Sequence, residues 1–457
     1  MTRVVEKLKA VQDVLEEVKR LLDIYDPERT FKFQDDNVKR RFEELRERFR
    51  DLVVEIVCGN ELNEAYRWRE ILLEMCNIVK RALGLVDIIF SKELSSFLED
   101  PRRHLKKKIF NYMYDLFRGK MKFEQFSLTA HAAIMTSLRT NMRQIYQSWV
   151  FLAILYLLGQ RGFRITYPEF GILSLERHSK QKLGYIPPNA ILTDKQGRSV
   201  SFFIEAPRPI TWEDTEDLSR IWKLYTALRP DMMAYSGSVY NIVKLDDNPP
   251  ILKPDIIIEC KELADWYLRV RYMRGPLARP LTAEEWRSKW IEGLKQGLAE
   301  ALGVELKTVD KMVREKKTIK LTDIQIVTLY KAVYKPNKMF IVSRTRVPDS
   351  VKKKLEELGI DLVENVEFNV KAIEPLVEEI VKIASRSETG RSVIDTIENL
   401  ILRVKTAVET RLGTVVEQDQ LVQALTELIS RHLEELLEII RSKLISSSGS
   451  VKSGGSS

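Results

Sequence analysis

The run Lys253-Pro254-Asp255-Ile256-Ile257-Ile258-Glu259-Cys260-Lys261-Glu262 constrains the fold more than any other segment of this chain. Three successive isoleucines present β-branched apolar surface to both faces, which marks a strand buried inside a sheet. The strand nevertheless ends in Glu259, Lys261 and Glu262. Glu259 and Lys261 are two apart, so both side chains leave the same face. A carboxylate and an ammonium side by side at the end of a buried strand can hold a divalent metal, orient or deprotonate a water, and stabilise charge on a phosphate. The structural alternative is a surface salt bridge at the strand's exit.

Further short β-prone runs, bounded by Pro, Gly and Asp, lie at Ile172–Leu175, Ala190–Leu192, Val200–Ile204, Met232–Tyr235 and Met339–Val342. Helical stretches are predicted at 214–228, 282–302, 306–315, Thr322–Tyr334 and 347–358, with a Thr282/Glu285 capping box and Gly303 closing the second of them. Strands alternating with helices predict an α/β core over 136–375, a mixed central sheet flanked by helices. Residues 1–135 read as a helical N-terminal arm. Within it Val4, Leu8, Val11, Leu15, Val18 and Leu22 alternate four and three apart, as in an amphipathic helix packed on its own domain or a coiled-coil dimerisation helix. Residues 376–445 read as a helical C-terminal arm, with Leu421, Leu425, Leu428, Leu436 and Ile440 on one stripe. Residues 446–457 read as a flexible tail. A chain of 457 residues has room for two to four such units.

Lys and Arg number 74 against 66 Asp and Glu, a net charge of +8 that suits a polyanionic partner. The excess concentrates in 101–122, where Arg102, Arg103, Lys106, Lys107, Lys108, Arg118, Lys120 and Lys122 face one acid, Asp115. Phe110, Tyr112, Tyr114 and Phe117 lie among them. Basic groups neutralise phosphates and rings offer stacking surfaces, so this segment, with Lys335 and Lys338, is a candidate nucleic-acid contact. The alternative is a solvated basic face with its aromatics in the core. Three cysteines without metal spacing and four scattered histidines support neither a disulfide framework, a zinc site nor a triad. No phosphate-binding glycine motif occurs, which disfavours an NTPase or a dinucleotide enzyme. The longest apolar run, Trp149–Leu158, has ten residues against the ~20 that cross a bilayer, and the N-terminus is charged, so a cytoplasmic protein without a membrane partner is expected. Scarce Asn and Gln beside abundant Lys, Glu and Arg point to a hot environment.

A metal site for phosphodiester hydrolysis wants a second carboxylate, and two candidates follow a proline. Asp255 precedes Glu259 in the same strand by about 13 Å, at ~3.3 Å per residue. Asp231, in Arg229-Pro230-Asp231, opens the preceding strand run and comes beside Glu259 if the two runs pair. A second hairpin, Pro188–Leu192 and Val200–Pro207 around an Asp194-Lys195-Gln196-Gly197 turn, places Asn189 and Pro207 where the first has Asp and Lys. It reads as a strand pair of the same sheet, with Glu205 an accessory acid, or as a degenerate copy of the site.

Pro230-Asp231 with Glu259-Cys260-Lys261, followed by a helix and Lys338-Met339-Phe340-Ile341-Val342-Ser343-Arg344, resembles the PD-(D/E)xK, or restriction-endonuclease-like, nuclease superfamily over roughly 140–370. The resemblance implies an αβββαβ core, Asp231 and Glu259 as ligands of Mg²⁺ or Mn²⁺, and Lys261 as the catalytic lysine that serves the attacking water. It implies a metal-dependent DNA endonuclease, with RNA as the other polyanionic substrate and the helical arms available for a homodimer or protein partners. The alternative is a catalytically inactive nucleic-acid-binding or scaffolding subunit of a larger DNA-processing or defence complex.

Overall fold

The computed structural model describes residues 2–176, 186–206, 228–244, 249, 251–272, 286–314 and 320–386, with shorter stretches between 404 and 432. The predicted helix at 214–228, apart from its last residue, the Thr282/Glu285 capping box, Pro207, Leu436 and Ile440 lie outside them. The chain divides into two compact units, Met1–Ser387 and Glu388–Ser457.

In the first unit, helices α1 (Thr2–Tyr25), α2 (Asp36–Cys58), α3 (Glu61–Leu83), α4 (Lys92–Glu99), α5 (Pro101–Lys108) and α6 (Phe110–Phe117) precede the long α7 (Phe123–Gln160). Local chemistry sets their ends. The Asp35 carboxylate accepts from Asn37 N at the start of α2, and Gly59 with φ 51° follows its end. Asp100 caps α5 by accepting from Arg103 N, with Pro101 in the first turn, where its missing N–H costs nothing. The heptad seam of α1 is used within the chain: Val11, Leu15, Val18 and Leu22 are buried against the unit's own core, while Leu8 is exposed.

Helix α7, about 57 Å long at ~1.5 Å per residue, runs through the expected boundary at 135. Its apolar stretch Trp149–Leu158 is buried on nearly all sides, because helices cover one side and the sheet the other. Among the described residues no helix is long and apolar enough to cross a membrane. Phe126, Ala130 and Ile134 of α7 share a core with Phe42 and Trp68 of the N-terminal helices and with Phe202, Met232 and Ile258 of the sheet. Residues 1–135 are therefore a layer of the same unit and not a separate arm.

The strands are β1 (Asp87–Ile89), β2 (Arg164–Tyr167), β3 (Ile172–Ser174), β4 (Ala190–Thr193), β5 (Arg198–Ile204), β6 (Met232–Ser236), β7 (Ile256–Lys261), β8 (Val270–Tyr272), β9 (Lys320–Thr322), β10 (Lys338–Ser343), β11 (Asp361–Val363) and β12 (Ser385–Arg386). The main sheet runs β11-β10-β7-β6-β5-β4-β2, with β12 added on β5, and β1/β3 and β8/β9 form separate ribbons. From β2 to β7 neighbours are antiparallel; β7, β10 and β11 are parallel. The fold is mixed α/β.

Strand β7 is buried throughout. Ile256, Ile258 and Cys260 face the α7 core, while Ile257 faces a second core. That second core is built with α8 (Trp286–Leu302) and α10 (Asp323–Tyr334); α9 (Leu306–Arg314) lies between these two helices in sequence. Each fully buried isoleucine contributes ~1.5–3 kcal/mol over an exposed one, which is why both faces need cover. Gly297 lets α8 approach α10 closely, since a Cβ there would meet Val333 at 3.1 Å and Leu329 at 3.2 Å. Helix α11 (Asp349–Glu357) follows β10, and α12 (Glu374–Ile383) packs in the α7 core. This unit therefore extends past the expected boundary at 375. The second unit contains α13 (Gln418–Arg431), whose Leu421 is buried and whose Leu428 is exposed.

Candidate functional site

The register of β6 and β7 decides which aspartate meets Glu259. Met232 pairs with Ile258, so one step beyond the ladder Asp231 lies across from Glu259. The two are cross-linked: Asp231 N donates to Glu259 Oε1 at 2.9 Å, and Cys260 N donates to Asp231 Oδ2 at 2.8 Å. Asp255 is at the opposite end of β7. Its carboxylate accepts from Ser236 N and from Asn337 Nδ2, each at 2.8 Å, and so ties strand ends together far from Glu259.

Lys261 and Glu259 share a face, as their spacing predicts, and Lys261 Nζ donates to Glu259 Oε2 at 3.1 Å. Both are buried, at 3% and 4% exposure. The ammonium also lies 4.0 Å from Asp323 Oδ2 and 5.7 Å from the Trp266 ring centroid. Asp323 occupies the first turn of α10, where a reciprocal capping box fixes the helix start: Thr322 Oγ1 accepts from Gln325 N while the Gln325 side chain accepts from Thr322 N. Trp266 Nε1 in turn donates to Ser343 Oγ at 3.3 Å, anchoring the ring to the end of β10. Asp323 is not legible locally, because a chain reversal far along the sequence brings α10 to this strand end. Burial pushes the Glu259 carboxyl up to about 7, with repulsion from Asp231 adding to it and Lys261 opposing.

Glu205 ends β5 in the left-handed region, φ 47°, and its N–H donates to the Asp231 carbonyl at 2.9 Å. Gln147 Nε2 of α7 donates to the same carbonyl at 3.2 Å. The Glu205 side chain lines a cavity of about 30 Å³ with Gln144, Gln147 and Ser148, enough for about one water. Glu205 does not complete a carboxylate cluster with Asp231 and Glu259: among the described residues no three His, Cys, Asp or Glu side chains are grouped to hold a metal. The hairpin β4–β5 is a strand pair of the main sheet. Asn189 serves it structurally, accepting from Ile204 N and donating to Ser174 O.

The basic segment lies against acids of neighbouring helices. Lys106 pairs with Glu47 and Asp51, Arg102 with Asp51, Arg103 with Glu99 and Lys108 with Glu93, while Lys107 donates to Ser96. Acids from neighbouring helices thus consume much of its charge. Phe117 is buried, and Tyr114 packs among Phe31, Phe110 and Phe117. Lys120 is exposed in the turn after α6. Lys338 opens β10, opposite Ile256, and pairs with Glu379; Lys335 caps the end of α10 nearby. Both are a strand's length from Lys261, about 17 Å at ~3.3 Å per residue.

Beyond Lys261 the chain enters a polar groove. Arg344 Nε donates to the Glu262 carbonyl at 2.8 Å, its guanidinium pairs with Glu367 at 3.1 Å, and it lies 5.1 Å from the Trp68 ring centroid. Compared with protein-family models, curated proteins and solved structures, the chain matches none.

Proposed function

We propose that this chain is a metal-dependent nuclease of the PD-(D/E)xK type that hydrolyses phosphodiester bonds in DNA. The observation that carries the reading is the cross-strand pair Asp231–Glu259 with Lys261 two residues on, at the carboxyl ends of two parallel strands, β7 and β10. The sheet is compatible with it: α7, β5, β6, β7, α10 and β10 follow one another in an αβββαβ order once the intervening β2–β4, β8, β9, α8 and α9 are treated as additions.

The donor set suits Mg²⁺ or Mn²⁺. Asp231 and Glu259 are hard oxygen ligands whose mutual repulsion a cation would relieve, and Mg²⁺ is commonly held by one or two carboxylates with water and substrate phosphates filling the rest. When bound, the ion would polarise the phosphodiester and lower the pKa of a water. The chain's own part is positional. The strand register fixes both carboxylates, and Glu259 and Asp323 bracket the Lys261 ammonium, which would orient the attacking water and stabilise charge on the phosphate.

One observation favours a second reading, a nucleic-acid-binding subunit without turnover: Glu259 and Lys261 are almost completely buried and satisfy each other. Plasmid nicking with Mg²⁺ or Mn²⁺ at elevated temperature separates the two, comparing wild type with Asp231→Asn, Glu259→Gln and Lys261→Ala after circular dichroism has verified folding. Metal-dependent nicking lost in all three supports the nuclease. Absence of cleavage by folded wild type on plasmid, single-stranded and junction DNA, or cleavage indifferent to all three changes, leaves the second reading.

A further inference from the structure

His131, Met135, Arg139 and Arg143 recur every fourth residue along ~18 Å of α7, with Thr136 and Thr140 beside them; Met135 is buried in the core, while His131, Thr136 and Arg139 are exposed and Arg143 is partly so. This face borders two adjoining cavities of about 310 and 500 Å³, which share Arg139, Glu262 and Arg269. The smaller is cationic, with Arg139, Arg143 and Arg269 against Glu262. The larger adds Glu61, Glu64 and Asp265 together with the apolar Met142, Leu263 and Leu268, the last 69% exposed. Arg139 and Arg143 are less closely paired than the 101–122 segment: among the described residues neither has a carboxylate within 4.0 Å, although Glu262 lies within electrostatic reach of Arg143. Glu262 follows Lys261 at the end of β7 and lies within electrostatic reach of Lys261 and Asp231, which places the groove on the α7 side of the same strand end.

We propose that this groove binds a single strand of nucleic acid, its phosphates on Arg139, Arg143 and Arg269 and its bases toward the wall of Met142, Leu263 and Leu268. The proposal rests on the nuclease reading only for the direction of the strand toward Lys261. The charge division argues for it. Phosphates are matched by the arginines and threonine hydroxyls of the narrow cavity, whereas the wider cavity joins apolar surface to carboxylates that can accept from exocyclic amines. Size argues for one strand: the cavities are in the range that encloses a small ligand, while a duplex has a major groove alone ~12 Å wide.

Fluorescence anisotropy on the full-length protein in EDTA tests the groove, with labelled single-stranded DNA, single-stranded RNA and duplex DNA of one sequence as probes. Wild type should bind at least one single strand more tightly than the duplex. Arg139→Ala with Arg143→Ala should weaken that binding ~10-fold or more and reduce the slope of log affinity against log salt by ~1.4. Lys353→Ala with Lys354→Ala, two exposed cations on α11 away from the groove, should leave it unchanged. Tighter duplex binding, no binding by wild type, unchanged affinity in the α7 variant, or an equal loss in the control would overturn the proposal. Binding with the expected pattern but without cleavage sinks the nuclease reading and leaves the groove standing. Cleavage by wild type with normal affinity in the α7 variant sinks the groove alone.

Discussion

Glu259 is a buried carboxyl whose proton is favoured by the fold, and that has a sign. A group whose native pKa, about 7, exceeds its usual 4.5 stabilises the native state fully below 4.5 and loses that contribution as pH rises through 7. Metal-free protein should therefore melt lower at about pH 8 than at about pH 5, by roughly 3–8 °C for this group. Glu259→Gln should flatten that fall, and ~10 mM Mg²⁺ should raise the melting temperature of wild type at about pH 8 but not that of the Gln variant. Scanning calorimetry reads both; an identical pH slope in the variant would remove Glu259 as the titrating group. Lys261 carries the complementary prediction. Lys261→Met removes the cation that pairs with Glu259 and lies beside Asp323, and should cost ~3–5 kcal/mol by denaturant unfolding at about pH 8. The cost should shrink near pH 5, where Glu259 can take up a proton.

Elements with their own signal were legible, and elements created by pairing were not. β5, β6, β7 and β10 were predicted because each carries a run of buried apolar residues. Strands β1, β8, β9, β11 and β12 are two or three residues long and too short for any alternation to show; they become strands only where a partner lies alongside. The site divides in the same way. The two-residue spacing of Glu259 and Lys261 is local and was readable, and pairing of two recognisable strands was enough to select Asp231. Asp323 depends on where α10 returns, which no local pattern encodes. The charge count over 101–122 cannot register Glu47, Asp51, Glu93 and Glu99, which other helices bring against its Lys and Arg side chains. The element that carries Asp323 to Lys261 is held by its cap, so Thr322→Ala, which breaks the capping box, should cost ~1 kcal/mol. Chemical denaturation measures it, and no loss would mean that α10 is placed by its packing on α8 alone.

The whole chain divides its labour unevenly. Both core clusters lie entirely before Ser387, ending with Ala384 in one and Ile360 in the other. The Asp231–Glu259 pair, Lys261, Asp323 and the α7 groove lie in the same unit. Its helix α1 spends the described part of its heptad seam, Val11 to Leu22, on that unit's own core. A unit whose described core clusters and candidate site lie within its own residues is expected to fold by itself. A chain ending at Ser387 is therefore expected to unfold cooperatively and to retain the pH-dependent, Mg²⁺-responsive melting argued for Glu259. Leu15→Lys, which buries a charge in the α1 seam, should lower the melting temperature without changing the mass measured by light scattering at moderate temperature. A truncated chain that is molten, or a mass that halves in Leu15→Lys, would mean that the cores are completed by Glu388–Ser457 or by a second copy. The site would then belong to an assembly and not to this unit alone.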